Sequence, residues 1–386
     1  DKTRDDNTDL LVPFASEALQ AQGAACFDVL VALGTHSPMT ETEKRVKLGL
    51  DSGAEIPLLG RVFDHRWDDA NDLVSLGTLP GAQVSDLTGG LLNSDIPVRL
   101  NRLLAPGLYD TVLVFGATVP HEVAGFSGGS KYFFPGVAGP DLTHQTHWLG
   151  ALATIEKIIG RVETPTRRLI EAAADLVPAK IISFNTVLTR ENGRLRTYAL
   201  FAGDIKQAFR HAAQISSQVH IKYVDRKYKR VIALLDEHYT EMWVGGKASY
   251  KLGGIIEEGG ELIIYAPHLD RISDTHGRLI EKYGYWPLER VKQLVSTNSD
   301  LEQNLCVAAH LAHVSFSNSG LSGEPSAPRY RITLSSGLDE TDCGRVNLGF
   351  LNITNFQIED YESQPDTLIV QQAGRDLYRL ASDHDR

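Results

Sequence analysis

The stretch HEVAGFSGGSKYFFPG, residues 121–136, sets a histidine ten positions before a lysine, with a glycine run between them. A lysine closing such a run can meet an anion, because the glycines let the backbone approach closely. The pattern Gly125-x-x-x-Gly129-Ser130-Lys131 falls short of a phosphate-binding loop. That loop needs Gly directly before the Lys and Ser or Thr directly after it, as a magnesium ligand. Here Ser130 precedes Lys131 and Tyr132 follows. No G-x-G-x-x-G occurs, so the dinucleotide fingerprint is missing too. Read by itself, the stretch is also compatible with a surface loop carrying a solvated lysine.

Histidines supply the second group of chemical candidates. His144 and His147 follow the loop at a spacing of three, which alone does not specify a metal site. His36, in LGTHSPMT, and His121 each follow an apolar run and sit in turn-rich sequence. An imidazole titrates near neutrality and suits proton transfer, although a single histidine is as readily a core or surface residue. Two of them on opposite sides of a carbon could serve a reaction that works on both faces. The polar start, Asp1-Lys2-Thr3-Arg4, offers an arginine for bidentate carboxylate binding, or a frayed end.

The elements that must position these residues read as alternating strands and helices. Strands are expected at 29–33, 111–115, 180–184, 230–235, 262–266, 314–317, 331–334 and 367–370. Helices are expected at 9–21, 40–48, 151–160, 166–177, 205–218, 273–282, 287–295 and 300–312. This alternation implies an α/β chain with mostly parallel sheets. The charged run DRKYKR marks a boundary, giving residues 1–228 and 229–386. Ligands in such sheets bind beyond the carboxyl ends of strands, where His36, His121 and Lys247 fall.

Composition bounds the rest. The 386 residues are 42% apolar and 23% charged, enough for a full core. Thirty-eight basic against 49 acidic residues leave a net charge of −11, which argues against nucleic acid or an anionic membrane as partner. Cys26, Cys306 and Cys343 form no paired motif, so a reducing, cytoplasmic setting is expected. No apolar run reaches the roughly 18–20 residues of a membrane span.

Taken together, several blocks resemble the nickel-dependent lactate racemase family, which uses a nickel-pincer nucleotide. They are DKTR at 1–4, LGTHSPMT at 33–40, HEVAGFSGGSKYFFPGVAG at 121–139, His147, WVGGK at 243–247 and EEGGELIIYA at 257–266. The resemblance spans nearly the whole chain, and the spacing of His121, Lys131 and His147 is its most specific part. The family begins before this block, so a segment upstream of Asp1 is expected.

The resemblance implies two Rossmann-like α/β domains with the active site in the cleft between them, and a role for each residue. Lys131 would carry the pyridinium-3-thioamide-5-thiocarboxylic acid mononucleotide, with Gly128 and Gly129 beside it and Asp1 and Thr3 close to the cofactor. His147 would ligate Ni(II). His36 and His121 would be the acid/base pair, and Arg4, Lys247, Trp243 and Asn304 would meet a small anionic 2-hydroxy acid. Cofactor-biosynthesis enzymes would be needed for loading. Lactate-active members carry other residues at Ser37, Ser130, Trp243-Val244 and Asn304, which implies racemisation or epimerisation of a different 2-hydroxy acid. Two other classes stay open: a cofactor- or hydroxy-acid-binding protein without turnover, and a phosphate-loop nucleotide enzyme.

Overall fold

The run Val231, Ile232 and Ala233 is fully buried, as are Leu262, Ile264 and Leu334 on neighbouring strands. Strands apolar on both faces belong inside a parallel sheet covered on each side, and that is their place in this computed structural model. It describes residues 5–50, 55–191, 193–316 and 327–383. These divide into two compact units. One comprises residues up to Val119, Phe126–Thr146 and Val162–Gln218; the other comprises Pro120–Gly125, His147–Arg161 and Val219 onward.

In the first unit the strand Thr111–Ala117 pairs in parallel with Lys180–Glu191, which turns back antiparallel onto Arg194–Gly203. Phe27–Val31 and Leu59–Asp64 form a parallel pair, and Leu73–Leu79 and Ile96–Asn101 an antiparallel one. Val12 of the helix Thr8–Ala21 packs with Leu48 and Ile56 against Phe27, Val29 and Phe115. The helix Glu41–Lys47 starts at a full capping box: Thr40 accepts from the Glu43 N–H, and Glu43 accepts from the Thr40 N–H.

The second unit is built on a five-stranded, all-parallel sheet. Its order is Gly349–Phe350, Arg331–Ser336, Ile256–Ala266, Tyr228–Leu234, Thr367–Val370. The order reverses direction at Tyr228–Leu234, and in such sheets the crevice beyond that strand end is where ligands bind. Asp236 and Arg375 pair there, at 2.6 Å, and the chain leaving the strand carries Tyr239, Trp243 and Lys247. The short strands Ile221–Val224 and Leu377–Leu380 form a separate parallel pair.

Mixed α/β architecture with mostly parallel sheets is thus the observed class, with two antiparallel ladders that the alternation did not foresee. Three local readings are corrected. Residues 314–315 end a helix, Leu305–Ser315, instead of starting a strand. Every residue from Cys306 to Ser315 is buried, so no polar face marks the helical period in the sequence. The expected helix 300–312 is two, Ser299–Glu302 and Leu305–Ser315, broken at Gln303-Asn304. The expected helix 151–160 begins upstream at Pro140 and stops at Ala153, where Thr154 takes φ +72° before the short turn Ile155–Ile158.

Candidate functional site

The glycine loop lies in the first unit, just past the strand Thr111–Ala117. Ser127 ties it to that strand: its hydroxyl donates to the Ala117 carbonyl at 2.8 Å and accepts from the Val119 N–H at 3.0 Å. Gly128 and Gly129 have φ of +94° and +58°, the left-handed region that favours glycine. A Cβ on Gly128 would strike the Thr118 hydroxyl, and one on Gly129 would lie 2.7 Å from Phe209 Cβ. The Gly129 N–H donates to Asn185 Oδ1 at 2.8 Å, and the Asn185 amide is held in turn by Ser183. Lys131 sits half-buried on the short turn Gly129–Tyr132. Two buried hydroxyls beside it, Thr118 Oγ1 and Ser130 Oγ, have no hydrogen-bond partner among the described residues.

The same unit brings the turn of His36 to this loop. Gly34 N–H donates to the Gly136 carbonyl at 2.8 Å, and Gly136 N–H donates to the Lys131 carbonyl at 3.1 Å. His36, half-buried, follows in a turn closed by its own N–H on Leu33. His144 lies on the helix Pro140–Ala153, edge-on to Trp67, and burial lowers its pKa.

In the second unit, His121 is buried, and its Nδ1 accepts from the Val123 N–H at 3.1 Å. Glu122 Oε2 stands 3.6 Å from the same nitrogen. The preceding Pro120 carbonyl accepts from the buried Lys251 ammonium at 2.6 Å. His147, half-buried, belongs to this unit. Around it is a group of histidines and aromatics that sequence reasoning missed. Trp243 packs between two imidazoles, 4.3 Å from His276 and 4.2 Å from His310. His310 is bonded at Nδ1 by the Tyr250 hydroxyl, 2.6 Å, with the Tyr285 hydroxyl 3.4 Å from Nε2.

Burial first, then the neighbouring His313, His276 and His147, hold the His310 pKa well below its ordinary value. Burial pushes His313 down to about 4 and raises Tyr250 and Tyr285, so these three and His310 are neutral at pH 7. Lys247 opens the helix Lys247–Leu252, its ammonium 5.9 Å from the Tyr239 ring. Asn304 precedes the helix Leu305–Ser315, and its amide donates to the Asp300 carbonyl at 2.8 Å. Asp1, Thr3 and Arg4 lie outside the described residues.

The missed residues did leave a trace. His310 and His313 repeat the spacing of His144 and His147, but they lie in a helix with no polar face, remote from any glycine-rich turn. Among the described residues, no three His, Cys, Asp or Glu side chains are grouped to hold a metal ion. None of the helices described is long and apolar enough to cross a membrane.

Residues 1–158 match the lactate racemase N-terminal domain. A crystal structure of a Thermotoga maritima protein superimposes with a TM-score of 0.89 at 32% identity, over 98% of this chain and 92% of that one. The lactate racemase apoprotein from Thermoanaerobacterium thermosaccharolyticum superimposes with a TM-score of 0.72 at 16% identity, over 98% and 85%. The latter likeness is one of fold. No curated protein matches the chain. With its first 158 residues matched to that domain and its fold shared over nearly its full length, the chain belongs to the lactate racemase family.

Proposed function

We propose that this protein inverts the configuration at C2 of a 2-hydroxy acid other than lactate, using a nickel-pincer nucleotide held on Lys131 and by His147. Family membership supports an isomerase of the racemase or epimerase type. The observation that carries the finer reading is the loop at 128–131, where two left-handed glycines leave no room for a Cβ and Lys131 follows after Ser130.

The residues present fit such a group. The bare Cα atoms of Gly128 and Gly129 let the loop press against Thr118 and Phe209, which fixes the turn that carries Lys131. Thr118 Oγ1 and Ser130 Oγ are buried polar atoms that would gain partners from a polar ligand. His147 would offer one imidazole to the nickel, the group itself supplying the other donors, and imidazole together with soft donors suits nickel(II). When bound, the group would supply a centre that accepts and returns the C2 hydrogen with its electron pair.

The protein's own residues would handle protons and orientation. As the C2–H bond breaks, the hydroxyl must lose its proton while the carbonyl forms. One histidine would take that proton from one enantiomer, and the other would return a proton to the same oxygen when the C2–H bond re-forms on the other face. The two enantiomers present opposite geometries, which accounts for a base in each of His36 and His121. General base catalysis of this kind typically contributes about 10²–10⁴-fold.

His121 has a built-in tautomer choice. With Val123 N–H on Nδ1, the neutral ring carries its hydrogen on Nε2. To accept a proton at Nε2 it must carry hydrogen on Nδ1, and the Glu122 carboxylate faces that nitrogen. Lys247 and Arg4 would hold the substrate carboxylate. Trp243, backed by the imidazoles of His276 and His310, would lie against the rest of the substrate, with Asn304 further along the same unit.

Protein produced together with the cofactor-biosynthesis enzymes should carry nickel and a mass increment on the peptide containing Lys131. It should interconvert the enantiomers of a 2-hydroxy acid in a panel running from 2-hydroxybutyrate to malate, phenyllactate and aldonates. Lys131→Ala should lose both increment and turnover. Turnover that survives in Lys131→Ala would overturn the reading, and tight binding with no turnover would favour a binding protein.

A further inference from the structure

Arg167 is among the largest fully buried side chains in the protein, at 1% exposure. It lies at the start of the helix Pro165–Ala174, where its N–H donates to the capping hydroxyl of Thr164 at 3.0 Å. Burial pushes its pKa down to about 10, with Glu171 and Glu163 opposing, so it remains a cation at neutral pH. An internal cation is expensive to desolvate, and its hydrogen bonds show what it is engaged with.

Those bonds go to the glycine loop. One terminal nitrogen donates to the Phe126 carbonyl and the other to the Gly128 carbonyl at 3.2 Å, on either side of Ser127. The Gly128 carbonyl is the one that also faces the Lys131 N–H, at 3.4 Å. The guanidinium lies over the Phe209 ring, 3.8 Å from its centroid. Phe209 in turn stands against the bare Cα of Gly129. Arg167 and Phe209 thus form a floor under residues 126–131, and one carbonyl links the cation to the backbone of Lys131.

We propose that Arg167 is a positioning residue for Lys131, acting through the Gly128 carbonyl to fix the loop in the shape from which Lys131 takes its cofactor. This rests on the reading of Lys131 as the attachment point. Only a planar fork can give two divergent N–H groups to carbonyls on either side of one residue while stacking on a ring. A lysine ammonium could reach one carbonyl but not brace both.

Arg167→Lys and Arg167→Met test this, against wild type and Lys131→Ala, in two readouts. In the protein without cofactor, amide hydrogen exchange at 127–131 should quicken about tenfold in both variants, the effect of losing charge-assisted bonds. Exchange in the helix Thr8–Ala21, which Arg167 does not bond, should stay unchanged. In protein made with the biosynthetic enzymes, the Lys131 mass increment should fall about tenfold, although Lys131 itself is intact. Loading and loop exchange equal to wild type would overturn the proposal, as would uniformly faster exchange, or failure of both variants to fold. A wild-type protein that gains no increment at all would sink the attachment reading, while the exchange readout would still judge Arg167.

Discussion

Replacing Gly129 by alanine asks whether the loop shape is as tightly fixed as its contacts imply. At φ +58° an L-residue is disfavoured by about 1–2 kcal/mol. The new methyl would also lie 2.7 Å from Phe209 Cβ and 3.0 Å from its Cγ. Phe209 is 1% exposed and cannot swing into solvent, so overpacking adds roughly 1–3 kcal/mol. The stiffer unfolded chain offsets about 0.4–1 kcal/mol of this. The net destabilisation is about 2–4 kcal/mol, a fall in the melting midpoint of roughly 5–12 °C for a unit of this size. Gly89→Ala is the control, since Gly89 has φ +65° but nothing within 4 Å of its added methyl. It should show the backbone part alone, about 1 kcal/mol. Calorimetry of the three proteins reads the difference. If Gly129→Ala melts with Gly89→Ala, the loop has slack, and the account of a backbone pressed onto Phe209 is wrong.

Two further outcomes follow from the second unit. His313 is buried and its pKa is held near 4, below the ordinary 6.5, so the unfolded state binds protons first as pH falls. Its contribution is complete above about pH 6.5 and fades toward pH 4, a loss of up to roughly 3 kcal/mol. Melting should therefore drop across that window, and less steeply in His313→Phe; an identical slope would remove His313 as its source. Glu122→Gln keeps the shape beside His121 but removes the charge facing Nδ1, so kcat should fall about tenfold or more with the fold intact. An unchanged kcat would separate Glu122 from the proton transfer.

The tight turn at 128–131 was legible in the sequence, because paired glycines mark backbone that other residues rarely adopt. The sheet strands were legible for a related reason: runs such as Val231–Leu234 are apolar on both faces. The helix Leu305–Ser315 was not, since complete burial erases the polar period that would have marked it. Arg167 was invisible for the opposite reason. An arginine near a helix start reads as a surface residue, and only three-dimensional packing turns it beneath a loop some forty positions earlier. The same holds for His276 and His310, whose meeting with Trp243 joins segments far apart in the chain.

The central claim is inversion at C2 with the hydrogen carried over as hydride by protein loaded at Lys131. The most direct measurement gives loaded protein a panel of 2-hydroxy acids deuterated at C2, in ordinary water. Each product enantiomer is then separated and weighed. The account predicts that at least one acid is inverted and that the inverted enantiomer keeps its deuterium. Inversion with deuterium replaced by solvent hydrogen, or no inversion of any acid by protein with Lys131 loaded, would contradict it.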